Sequence, residues 1–216
     1  MTFSKKYNKT ILTGDNMHKN HQAIMHELSG YASPKARLTR MIKSGDVIQV
    51  RRGIFMDASA KAGHSLKSLA AIIYGPSYLS FEYALAHYGL IPEQVQVFTS
   101  AAYNKNKNRR FSTPVGDFYY YYLPAAVFPY GVVLGSENDQ HYLIATPEKA
   151  LCDTLYKTHG IGSLQELQSL LFEDWRMERE ALLALERDAV IFLAPLYRKK
   201  IFRLFLQWLE GEANHA

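Results

Sequence analysis

Residues 33–55, SPKARLTRMIKSGDVIQVRRGIF, hold six Lys or Arg residues and a single acid, Asp46. Cations at this density suit one chemistry above others: they displace counterions from a polyanion and hydrogen-bond its phosphate oxygens. Their spacing divides them into two groups. At about 100° per residue, Ala36, Thr39, Arg40 and Lys43 fall on one side of a helix and Leu38, Met41 and Ile42 on the other, with Lys35 and Arg37 flanking the cationic side. The apolar side can pack while the cationic side meets base edges and nearby phosphates, and Ala36 lets the helix backbone come close to a groove. Arg51 and Arg52 stand apart, at a short turn between two β-rich runs, where they can grip a phosphate backbone or an adjacent minor groove. The candidate DNA-binding residues are therefore Lys35, Ala36, Arg37, Thr39, Arg40, Lys43, Arg51 and Arg52.

Other constellations carry less. The segment YNKNKNRR, residues 103–110, puts Lys105, Lys107, Arg109 and Arg110 in what reads as a loop between strands. They are candidate secondary phosphate contacts, to DNA flanking an operator or to RNA; the bland reading is a solvated charge run. FYYYYL, residues 118–123, sends Tyr120 and Tyr122 to one face of a strand and Tyr119 and Tyr121 to the other. One face is expected to be buried; the other could stay half exposed, as in stacking platforms for single strands.

Catalytic signals are thin. There is no Walker A motif, no H-E-x-x-H and no nucleophile elbow, and the GIG at residues 160–162 is no dinucleotide fingerprint. Glu148 and Asp153 lie five apart, about 140° round a helix, which does not make a carboxylate pair. Helix-dipole complementation accounts for Glu148, and solvent or a local salt bridge for Asp153. His18, His21 and His26 do not share a ligand spacing and have no cysteine partner, so no metal is expected. Cys152, the chain's one cysteine, reads as a small core residue. The expectation is a protein that is not an enzyme, with no catalytic residue and no cofactor.

These residues must be held by elements that the pattern also predicts. Residues 1–60 carry ten Lys or Arg against four Asp or Glu, whereas the remainder carries fifteen against sixteen. A basic module joined to a near-neutral one is the expectation. HKNHQAIMHELSG reads as a short helix stopped by Gly30. Ser33 and Pro34 open a second helix, and Gly45 ends it. DVIQV and IFM, joined through Gly53, read as a hairpin. Helix, turn, helix and basic hairpin make a winged helix-turn-helix over residues 1–60.

Over residues 61–216 a mixed α/β domain is expected. HSLKSLAAIIYGPSYLSFEYALAHYGLIP reads as helix, Gly75-Pro76 break, helix, with too few cations to bind DNA. QVQVFTSA reads as an alternating strand, RRFST and DFYYYYLP as a hairpin, and YGVVLG and HYLIAT as another. Thr146 and Pro147 open a helix that runs to Gly160, and Ser163 with Glu166 forms a capping box. A helical tail from about Met177 to Leu209, broken or kinked at Pro195, follows. The fold class is thus α+β: a winged helix-turn-helix, then antiparallel strands with helices and a helical C-terminal tail. No run of about 18 apolar residues and no signal peptide is apparent, so no membrane partner and a cytoplasmic location are expected.

IYGPSYLSFEYALAHYGLIPEQVQVFTSA, FSTPVGDFYYYYLP and YLIATPEKALCDTLY resemble the AbiEi family, and the basic helix with VIQVRRGIF resembles that family's N-terminal winged helix. The resemblance spans roughly residues 20 to 160. AbiEi proteins are antitoxins of bacterial type IV toxin–antitoxin systems, which also act in phage abortive infection. The resemblance implies that the N-terminal domain binds inverted repeats of double-stranded operator DNA in its own promoter and represses transcription. It also implies that the C-terminal domain counteracts a nucleotidyltransferase-like toxin without forming a stable complex. The alternative is a protein-interaction module that neutralises the toxin by direct binding, with little specific DNA binding.

Overall fold

The computed structural model describes residues 18–103 and 106–213. The chain divides into two compact units, Met1–Ala62 and Gly63–Ala216.

In the first unit the order is β1 (His18–Asn20), α1 (His21–Glu27), α2 (Pro34–Ser44), β2 (Val47–Arg51) and β3 (Ile54–Asp57). The strands form an antiparallel sheet in the order β1-β3-β2. The segment expected to be one helix therefore begins as a strand. Asn20 explains the change: its backbone is extended and its Oδ1 accepts from the Ala23 amide at 2.8 Å, so the helix starts only at His21. Lys19 fastens this corner with ion pairs to Glu27 at 2.7 Å and Asp57 at 3.0 Å.

The boundaries of α2 follow local chemistry. Pro34 occupies the first helical turn, and Gly45 takes the left-handed conformation (φ 80°) that closes the helix. Ser33 stands at the N-cap, but its hydroxyl does not bond the helix backbone. Leu38 is buried with Ile24, Leu28, Val47 and Phe55, and Met41 and Ile42 pack against that cluster. At the hairpin, Arg52 and Gly53 make the turn, with Gly53 at φ 83°.

The second unit begins with α3 (Leu66–Ile73), β4 (Ser77–Leu79), α4 (Phe81–His87) and β5 (Phe98–Ala102). Then come β6 (Arg109–Thr113), β7 (Gly116–Tyr122), β8 (Val132–Glu137) and β9 (Gln140–Ala145). It ends with α5 (Pro147–Lys157), α6 (Leu164–Ser169), α7 (Arg179–Leu183), α8 (Arg187–Leu193) and α9 (Lys200–Ala213). A π-helical turn, Leu170–Asp174, extends α6, and a 3-10 turn, Ala194–Tyr197, separates α8 from α9 at Pro195.

The sheet runs β6-β7-β5-β4-β9-β8 and is mixed: β5 with β7 and β4 with β9 are parallel, and the other neighbours are antiparallel. Three expectations change here. The second helix of the expected helix–break–helix starts only at Phe81, because Ser77–Leu79 is a wholly buried strand between β5 and β9. The alternating Gln94, Val95, Gln96 and Val97 lie outside any strand, and β5 itself is buried on both faces instead of alternating. The helix from Pro147 ends at Lys157, short of Gly160. Both expected hairpins form. The Asn138–Asp139 turn of β8–β9 has φ of 52° and 58°, which matches the twist of the strands it joins. The capping box of Ser163 and Glu166 is complete. Among the described residues no helix is long and apolar enough to cross a membrane.

Candidate nucleic-acid interface

Helix α2 buries one stripe and exposes the other. Lys35, Ala36, Thr39, Arg40 and Lys43 are exposed along its outer side. Two of these side chains bond back to their own helix: Thr39 Oγ1 donates to the Lys35 carbonyl at 3.0 Å, and Arg40 Nε donates to the Ala36 carbonyl at 3.3 Å. Arg37 differs. It is half-buried, with its guanidinium 5.1 Å from the centre of the Tyr31 ring, and its Nε is buried without a hydrogen-bond partner among the described residues. Arg37 thus lies beside the cationic side, held by an aromatic face.

The hairpin places Arg51 at the end of β2, half-buried, and Arg52 in the exposed turn. Helix α2 packs against β2, so helix and hairpin belong to one compact unit. None of Lys35, Arg37, Arg40, Lys43 and Arg52 is in an ion pair with a described residue. Their charge is therefore open to an external anion, and no nearby carboxylate has to be displaced first.

The second cationic run is arranged differently from its expected loop. Lys105 lies outside the described residues. Lys107 is exposed, and Arg109 and Arg110 belong to the edge strand β6. Consecutive residues of a strand face opposite ways, so these two arginines cannot share one patch. Arg110 sits 4.7 Å from the centre of the Tyr119 ring. The tyrosines of β7 are mostly enclosed: Tyr120 is buried and donates to the Ala70 carbonyl at 2.6 Å, Tyr121 lies under the Lys157 ammonium at 3.6 Å, and only Tyr122 is well exposed.

Sequence reasoning missed the most heavily bonded polar group in the second unit. Lys149 and Asp153, one turn apart on α5, form an ion pair of 2.9 Å with both side chains wholly buried. Lys149 Nζ also donates to the Val127 carbonyl at 2.8 Å and to Tyr197 Oη at 2.6 Å. The Asp153 carboxylate accepts from Ser80 Oγ at 2.6 Å, from Tyr78 Oη at 3.0 Å and from Tyr197 Oη. All three ammonium hydrogens thus have acceptors, and the carboxylate has four donors. Burial, then the Asp153 charge, push the Tyr78 and Tyr197 hydroxyls well above the ordinary tyrosine range, which keeps both as donors.

Of the two expected explanations for Asp153, solvent is thus ruled out and the local salt bridge holds. Glu148 is also buried, and it accepts from the Glu186 amide at 3.1 Å, capping α8 as well as facing the start of α5. The one signal in the sequence was the i, i+4 spacing of Lys149 and Asp153 on an otherwise apolar helix face.

Cys152 lies beside this network and is fully buried, and burial followed by the Asp153 charge pushes its thiol far above the ordinary cysteine range. It is expected to stay unmodified by a thiol-specific disulfide reagent in the native protein and to react stoichiometrically after denaturation. Absorbance of the released thiolate reads both states.

Among the described residues, no group of three or more His, Cys, Asp or Glu side chains is placed to hold a metal ion. His18 lies on β1, and His21 and His26 lie on α1. Compared with models of protein families and with curated proteins, the chain matches none.

Proposed function

We propose that the first unit is a winged helix-turn-helix that binds the promoter of its own operon, and that the chain is a type IV antitoxin and autorepressor of the kind that the AbiEi resemblance implies. The carrying observation is the exposed cationic side of α2, free of ion pairs with described residues and packed against a hairpin whose turn presents Arg52. The order strand, helix, helix, hairpin, with the first strand beside the last, supports the same reading. In it α2 enters the major groove. Ala36, Thr39, Arg40 and Lys43 meet base edges or nearby phosphates, Lys35 and Arg37 hold the backbone, and Arg51 and Arg52 make the wing contact. The second unit counteracts a nucleotidyltransferase-like toxin.

A gel-shift titration comparing the upstream promoter fragment with random duplex of equal length tests the repressor reading. Preferential retardation of the promoter fragment is expected, and equal retardation of both fragments refutes it. Co-purification of chain and toxin as a stoichiometric complex would instead favour neutralisation by direct contact.

The cations beside β6 bear on the size of the footprint. If they extend it, charge reversal of Lys107, Arg109 and Arg110 should reduce the slope of log affinity against log salt by about 0.9 for each phosphate no longer neutralised. Because Arg109 and Arg110 face opposite ways, a change of about 2 is expected at most for the triple variant. An unchanged slope in equilibrium titrations would remove this segment from the DNA footprint.

A further inference from the structure

The second unit carries fourteen Lys and Arg against sixteen Asp and Glu, so it is weakly acidic as a whole. Its cations are nevertheless concentrated. Two adjoining clefts, of about 290 and 350 Å³, have Lys199 as a shared wall, and no Asp or Glu lines either. The first lies between the end of β7 and the end of α5, where Asn108, Tyr122, Tyr156, Lys157 and His159 line it. The second lies at the start of α9, where Arg198, Lys200 and Arg203 share the lining with Pro195, Phe202 and Leu206.

The cations have different occupations. Lys157 pairs with Glu82 at 3.0 Å, and Lys199 donates to the Tyr156 and Thr158 carbonyls that end α5. Lys200 donates to the Gly162 carbonyl at 2.7 Å. These three build the walls. Arg198 and Arg203 are exposed and make no side-chain hydrogen bond or ion pair with a described residue, so they keep their full capacity for an incoming anion.

The aromatic side is equally specific. Tyr122 is 41% exposed, and its amide donates to Asn108 Oδ1 at 3.0 Å, which fixes the strand end that carries the ring. Tyr156 is half-buried, with the Lys199 ammonium 5.0 Å from its ring centre.

Arg198 and Arg203, with no carboxylate partner among the described residues, select a polyanion, and the tyrosine rings of the adjoining cleft select one that offers flat faces. A duplex keeps its bases stacked inside and offers none; a single strand offers one at each nucleotide. We infer that these two clefts bind single-stranded nucleic acid, with phosphates on Arg198 and Arg203 and bases against Tyr122 and Tyr156. This site is separate from the promoter-binding surface proposed for the first unit and does not depend on it.

Fluorescence anisotropy on the full chain tests the inference, with a labelled RNA of about 12 nucleotides, a length within the range of single-strand modules. DNA of the same sequence and the promoter duplex serve as parallel probes. Binding of either single strand is expected, weakened about tenfold or more by Arg198→Glu/Arg203→Glu and about fivefold or more by Tyr122→Ala. The same variants should leave promoter-duplex affinity within about twofold, whereas Arg51→Ala/Arg52→Ala should do the reverse. Thermal melts confirm folding, and Arg198→Gln/Arg203→Gln supplies a milder variant should charge reversal unfold the chain. Wild-type affinity for single strands in both the arginine and tyrosine variants would overturn the assignment. So would absence of single-strand binding by the wild type in low salt, whatever the promoter duplex does.

Discussion

Asp153→Asn is expected to destabilise the chain by about 3–5 kcal/mol, the cost of removing one partner of a buried ion pair. The substitution keeps the shape and removes the charge, so the Lys149 ammonium is left wholly buried among neutral acceptors alone, the Val127 carbonyl, Tyr197 Oη and the amide oxygen of the substituted side chain. The new amide would also turn a donor toward a group of donors: Tyr78, Ser80 and Tyr197 all give hydrogen bonds to this carboxylate. For a chain of this length such a loss lowers Tm by about 6–20 °C, which calorimetry or a circular-dichroism melt would read.

The partner substitution should cost less. In Lys149→Met the carboxylate keeps three hydroxyl donors, and the apolar side chain fills the space of the lysine stem. If the two variants melted together near wild type, the pair would not be the fastening that its geometry implies. The network matters because its members come from far apart in sequence. Tyr78 lies in β4 and Ser80 at the N-cap of α4, Lys149 and Asp153 lie on α5, and Tyr197 lies in the turn before α9. The helical tail is thus bonded to the centre of the sheet through one charged group.

The second large effect is expected at the hairpin. Arg51→Ala/Arg52→Ala should weaken binding to promoter and random duplex alike, by about 10- to 100-fold at moderate salt, and reduce the salt slope by about 2. The reason is that phosphate contacts position a protein on DNA without reading it. Arg52 is the cleaner probe, since it stands exposed in the turn, and Arg52→Glu alone should show the same uniform loss. Anisotropy titrations at three salt concentrations separate this pattern from a loss of specificity. A variant that bound random duplex as well as wild type did would take the wing out of the interface.

Much of this architecture could be read from residues whose influence is local. Pro34 and Gly45 bound α2, Gly53 turns the hairpin, Thr146 with Pro147 starts α5, and Ser163 with Glu166 starts α6. The amphipathic division of α2 was equally readable, because Leu38, Met41 and Ile42 recur at helical spacing. What escaped depends on distant partners. β1 is three residues that become a strand only by pairing with β3, and β4 is three residues extended by burial between β5 and β9. The alternation of Gln94 to Val97 looked like a strand and pairs with no strand among the described residues. Asp153 was legible only as a residue met by solvent or a local salt bridge, because nothing local announces that Lys149, Tyr78, Ser80 and Tyr197 will enclose it. The aromatic and cationic lining of the two clefts was scattered in sequence, between Asn108 and Arg203, and only the packing of β7, α5 and α9 collects it.

Helix α2 is proposed to read bases, and the ratio of promoter affinity to scrambled-duplex affinity measures this most directly, for the wild type and for Arg40→Ala. The wild type is expected to prefer its promoter by about 10³-fold or more at physiological salt. Arg40→Ala should lose about tenfold of that preference while binding scrambled duplex nearly as before, as expected for a side chain that contacts a base. A wild-type ratio near one would contradict base reading by α2, and so would an Arg40→Ala ratio equal to that of the wild type.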